Sequence, residues 1–165
     1  MTRKYWVDKK RLKDPIYWFM KAITYHSTVL FIKEEFDKIK SLDAKPYIFN
    51  ASLATPYLTG LASELYMKGY LVFKGKKPDK LRGKKIGHNL KILRKMCFRY
   101  GDQRFEEDSL IFVTDTLGEH LMEDGGIRYP DKHDMPPIYY NEFEKALNIL
   151  REISSEASLQ IQYKS

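Results

Sequence analysis

Cysteine is almost absent from this chain of 165 residues: Cys97 stands alone. One thiol closes no intrachain disulfide and anchors no Cys-rich zinc site. Long apolar runs are lacking too. None approaches the ~18 residues of a membrane-spanning helix, and the charged opening Met1–Lys13 holds no apolar core of a secretory signal. Apolar–polar alternation with period two, the mark of a half-buried strand, occurs nowhere at useful length, and there is no internal repeat. The GK[ST] of a phosphate-binding loop, G-x-S-x-G and H-E-x-x-H are all missing, so the sequence offers none of those nucleotide-hydrolysing, serine-hydrolase or zinc-protease signatures. The expectation is a cytoplasmic protein with no membrane association, no metal and no cofactor.

What is present suits one folded domain. Hydrophobic residues make up 43% and aromatics 14%, which excludes a mostly disordered chain, and the length allows a real core. Charge is distributed unevenly. Lys74–Arg99 holds eleven Lys and Arg against the single acid Asp79, a local +10, whereas the whole chain is +7; everything outside that stretch therefore sums to −3. A cationic patch confined to one segment points to an anionic partner better than a high isoelectric point does. Within it Lys74, Lys76, Lys77, Lys80, Arg82, Lys84, Lys85, Lys91 and Arg94 are the candidate anion-binding residues.

Apolar spacing predicts helices throughout. A basic, irregular segment over 1–13 precedes Asp14-Pro15, an N-cap followed by proline at the first helical position. The first helix runs to about Ile39 and contains His26. A second covers Ser52–Lys74, with Leu58, Leu61, Leu65 and Val72 as its stripe and apolar residues on most other sides. Gly75, Pro78, Gly83 and Gly87 make 74–87 a loop. A third helix runs from about His88 to Arg99, with Cys97 inward as a buried small hydrophobe. The fourth extends from about Phe105 to Glu123, and the last from Asn141 to Ala157. The three prolines at 130, 136 and 137 prevent a continuous helix between them. The domain spans 14–157, and 158–165 reads as a tail.

Two polar features sit in apolar surroundings. Glu64 and Lys68 are an i, i+4 pair in the favourable order, on a helix predicted to be largely buried, so the charges need matched polar partners or a role. His88 falls near the start of the third helix, where free backbone N–H groups and the helix dipole favour an anion. The acids Glu106, Glu107, Asp108, Glu119, Glu123 and Asp124 read as a solvated face that could also pack against the basic segment.

Three short signatures occur in order: Glu64-Leu65-Tyr66-Met67-Lys68 as E-x-x-x-K, Gly87-His88-Asn89-Leu90 as GH[DN]L, and Arg128-Tyr129-Pro130-Asp131 as RYPD. Together they resemble the HEPN family over about Ser52–Ile153. The resemblance implies an all-α fold, a four- to five-helix up-down bundle that is often a homodimer. It also implies association with prokaryotic nucleotidyltransferases, toxin–antitoxin pairs and RNA cleavage, so an antitoxin or a nucleotidyltransferase is an implied partner. Glu64, Lys68, Asn89, Tyr129 and Asp131 become the implied polar pocket residues.

Active members of the family are metal-independent ribonucleases with an R-x4-6-H motif, the arginine holding phosphate and the histidine moving protons for attack by the RNA's own 2′-hydroxyl. Imidazole and guanidinium suit those tasks. Arg128 with His133 fits this spacing, as does Arg82 with His88, although Tyr129 and Gly83 stand where the active form carries a polar residue. The candidate catalytic residues are Arg128, His133 and His88. Three readings stay open: a module binding RNA or a nucleotide, a metal-independent endoribonuclease, and a protein-interaction module.

Overall fold

Asp14 starts the first helix as its residue type predicts. Its Oδ1 accepts the Ile16 N–H at 2.9 Å, and Pro15 takes the first helical position, where a missing N–H costs nothing. The computed structural model describes residues 10–38, 52–81, 86–122 and 138–163. Among them the protein is entirely helical: α1 (Pro15–Asp37), α2 (Thr55–Phe73), α3 (Leu90–Phe98), α4 (Asp108–Met122) and α5 (Tyr140–Gln162), with single 3-10 turns at Arg11–Lys13, Pro78–Leu81 and Gln103–Glu106. The all-α expectation holds. The last helix continues to Gln162, so residues 158–162 of the expected tail belong to α5.

Helix α2 is the axis of the molecule and packs against all four others. Ala62, Tyr66, Met67, Tyr70 and Leu71 are buried, and so are Thr55, Thr59 and Ser63. The leucines that mark its stripe in the sequence, Leu58, Leu61 and Leu65, are only half-buried. Gly69 brings α1 close: a Cβ there would lie 2.6 Å from the Phe19 ring and 3.0 Å from Trp18 Cβ. At its end Gly75 adopts φ +86°, and Lys76 N–H and Gly75 N–H reach back to the Leu71 and Val72 carbonyls at 2.9 Å. This double closure stops the helix and satisfies its last carbonyls.

Contacts fix the helix directions. Phe19 lies on Gly69 and His26 on Tyr66, so α1 and α2 are antiparallel. Phe36 meets Tyr140 and Lys33 meets Glu144, so α5 also opposes α1. Helix α3 behaves differently. Its start, at His88, touches Glu64, and Cys97 further on faces the Met67 carbonyl, so α3 advances in the same sense as α2. A strict up-down order is therefore broken at this step. The chain leaves α2 at Phe73 and enters α3 from His88 beside Glu64, about 14 Å back along the α2 axis.

The core is ordinary close packing. Leu90, Leu93 and Cys97 of α3, Leu110, Val113 and Leu117 of α4, and Phe143, Leu147, Leu150 and Ile153 of α5 all face inward at helical spacing. Cys97 is fully buried, as expected, and burial holds its thiol well above the ordinary value.

Candidate nucleic-acid interface

The G-H-N-L stretch builds the turn into α3. Leu90 is buried as the first helical residue, and Asn89 Oδ1 caps the helix by accepting the Ile92 N–H at 2.9 Å. Asn89, not an incoming anion, thus occupies the end of the helix. One residue earlier, His88 turns its ring onto α2.

There the E-x-x-x-K pair is waiting. Lys68 Nζ donates to Glu64 Oε1 at 2.6 Å, and His88 Nδ1 lies 3.0 Å from Glu64 Oε2. The side chains of Glu64 and Lys68 are each 6% exposed, while that of His88 is 48% exposed. A carboxylate oxygen can only accept, so Nδ1 carries the hydrogen and Nε2 is left free on the more exposed ring. Lys68 Nζ also lies 5.9 Å from the centroid of the Trp18 ring. Both oxygens of the buried carboxylate are paired, which is the condition for keeping it there.

The basic residues divide into two groups. Lys76, Lys77 and Lys80 are exposed and form no ion pair among the described residues. Lys74 is exposed with its ammonium 5.2 Å and 5.1 Å from the Tyr70 and Phe73 ring centroids. Others are engaged. Lys91 pairs with Asp115 at 3.0 Å. Arg94, 4% exposed, donates to the Phe105 carbonyl at 3.0 Å and to Glu106. Its guanidinium ties α3 to the following turn and is unavailable to an external anion, a correction to its assignment as an anion-binding residue. Arg94 sits between Leu93 and Cys97 on the inward face, and Phe105 and Glu106 supply the partners that let it stay there. Conversely Lys95 and Arg99, outside the candidate set, are exposed with no ion pair among the described residues. Their positions on the outer face of the α3 periodicity were the available signal.

Arg82, Lys84, Lys85, Arg128, Tyr129, Asp131 and His133 lie outside the described residues, so of the candidate catalytic residues only His88 is placed. Among the described residues no group of three or more His, Cys, Asp or Glu could hold a metal ion, and no helix is long and apolar enough to cross a membrane. No protein-family model matches the chain, and neither a curated protein nor a solved structure matches it significantly.

Proposed function

We propose that this protein is a HEPN-like helical domain that binds single-stranded RNA through the connector between α2 and α3. The observation that carries the reading is the run of exposed Lys76, Lys77 and Lys80, without an ion pair among the described residues, on a segment that begins at the end of α2 and leads to His88 beside Glu64. Neutralising phosphate by lysine releases counterions, so affinity should fall with salt. The test is fluorescence anisotropy with a short single-stranded RNA between about 50 and 200 mM salt. Replacing Lys76, Lys77 and Lys80 by Gln should weaken binding and flatten the log–log salt slope by about two units, at ~0.7 per lost phosphate contact. RNA that fails to bind the wild-type protein at low salt would instead assign the lysines to an acidic protein partner.

A second reading, metal-independent RNA cleavage, is favoured by the Glu64–His88 pair. A carboxylate that holds Nδ1–H orients the ring and leaves Nε2 to accept a proton, as a general base for a 2′-hydroxyl must. Cleavage of labelled RNA in EDTA, abolished by His88→Ala, would support it. RNA retained but uncut would leave the binding module alone. The family resemblance adds a homodimer and a nucleotidyltransferase or antitoxin partner to this proposal, and light scattering of the purified protein tests the first of these.

A further inference from the structure

A cleft of about 370 Å³ opens where the end of α2, the turn after α3 and the last third of α5 meet. Lys74 lines it, so the cleft adjoins the beginning of the basic connector. Its charges cancel: Lys74 and Arg104 against Asp102 and Glu156. Arg104 is held in one plane by both acids. Nε and Nη2 donate to Asp102 at 3.0 and 2.8 Å, and Nη1 and Nη2 donate to Glu156 at 2.7 and 2.6 Å. Those carboxylates occupy the edge of the guanidinium that would grip a phosphate, leaving a rigid flat cation, partly exposed, whose free surface is its face.

Aromatic surface is gathered at the same place. Tyr70 and Phe73 line the wall under Lys74, and Tyr100, 38% exposed, stands at the opening. Gly101 follows it at φ +91°, a conformation that turns the chain out of α3 directly after Tyr100. Gln103 and Gln160, both exposed, bring side-chain amides that can donate and accept. A charge-balanced cleft with a rigid guanidinium plane, an exposed phenol ring and two amides repels a phosphate less than it rewards a flat, neutral, hydrogen-bonding group. Unstacked bases are recognised by just this combination of aromatic or guanidinium planes and amide edges.

We infer that the cleft between Tyr100, Arg104 and Gln160 takes one unstacked nucleobase of the strand whose phosphates follow Lys74–Lys80. This inference rests on the RNA-binding reading and adds to it a place where the base, not the backbone, is held.

The test compares a short single-stranded RNA with the same backbone made abasic, using the wild-type protein and the variants Tyr100→Ala, Tyr100→Phe and Gln160→Ala. Loss of one stacked base corresponds to roughly tenfold or more in affinity. The wild-type protein should prefer the intact strand by that factor. Tyr100→Ala should lose the preference while keeping the salt slope, Tyr100→Phe should retain it, and Gln160→Ala should reduce it. Equal affinity of the wild-type protein for intact and abasic strands overturns the base site without requiring any variant to fold. A Tyr100→Ala protein that keeps the full preference overturns it as well. If the lysine substitutions abolish binding and the abasic strand binds as well as the intact one, the basic connector stands and the cleft does not. Absence of RNA binding by the wild-type protein overturns both.

Discussion

Acid should destabilise this protein through His26. The imidazole is 1% exposed, in the interface of α1 with α2, and its Nδ1 lies 3.1 Å from the Tyr66 hydroxyl while Nε2 has no hydrogen-bond partner among the described residues. Burial, reinforced by the positive charge of Arg151 on α5, lowers its pKa from 6.5 to about 4. Tyr66 offers no counter-charge, because burial raises its phenol well above the ordinary value. Between those two pH values the unfolded chain binds a proton that the folded chain refuses. Stability therefore falls as the pH drops from about 6.5, and the loss levels off below about 4, where the folded imidazole takes up its own proton.

The gap, 6.5 − 4 = 2.5 units, at ~1.4 kcal/mol per unit amounts to about 3 kcal/mol, of which about 2 kcal/mol is lost by pH 5. A typical domain has only ~5–15 kcal/mol in total. Urea titrations between pH 8 and pH 4 measure the effect, and His26→Phe separates it from carboxylates that titrate in the same range. The variant shifts the whole curve by a constant for its altered packing, but it cannot carry the His26 slope. Wild type minus variant should change by about 3 kcal/mol across the range. Parallel curves for the two proteins would refute the assignment of a buried neutral imidazole.

Three further perturbations test the packing and the ion pairs. Gly69→Ala would drive a Cβ into the Phe19 ring and Trp18, so a thermal melt should show a loss of about 1–3 kcal/mol; an unchanged midpoint would mean that α1 does not approach α2 this closely. Lys68→Met leaves Glu64 buried with His88 as its remaining partner among the described residues, and the stability from urea unfolding at neutral pH should fall by about 3–5 kcal/mol, with Glu64→Leu added to Lys68→Met recovering much of it. A double variant no more stable than the single one would argue against an uncompensated charge. Glu156→Ala, by contrast, breaks a half-exposed contact to Arg104 and should cost no more than about 1 kcal/mol by the same measurement.

Much of the fold is legible because it rests on local chemistry. The Asp14-Pro15 start, the end of α2 near Gly75 and the inward faces of α3 and α5 follow from capping, backbone freedom and apolar spacing. The direction of α3 is not local. A connector of lysines and glycines looks the same whether it makes a short reversal or a long return, and only the contacts of His88 and Cys97 decide between them. Burial on α2 was obscured for a related reason. Thr55, Thr59 and Ser63 are small enough to let α2 pack closely, so they lie deeper than the leucines that hydropathy selects. The site was half legible: i, i+4 spacing marked Glu64 with Lys68, but its link to His88 spans 24 residues and depends on where α3 starts relative to α2. Arg94 and Lys91 look like their free neighbours in the sequence; Glu106 and Asp115 distinguish them only once the helices are placed.

The buried carboxylate helps explain how a lysine-rich, self-repelling connector is anchored to the helix it follows. Glu64 is fixed in the middle of the most buried helix, and it needs two partners because both of its oxygens are withdrawn from water. Lys68 can satisfy one from the same helix. The second must come from elsewhere, and His88 supplies it from the far end of the connector. Both ends of the lysine-rich segment are thereby tied to α2, by the Gly75 closure at one end and by Glu64 at the other. Cations on a segment anchored at both ends have fewer arrangements to lose when they meet an extended polyanion, so the ordering cost of binding is reduced before the ligand arrives. The same buried acid that would orient His88 for chemistry thus has a sufficient role in binding alone, which is why cleavage in EDTA, rather than the geometry of the pair, separates the two readings.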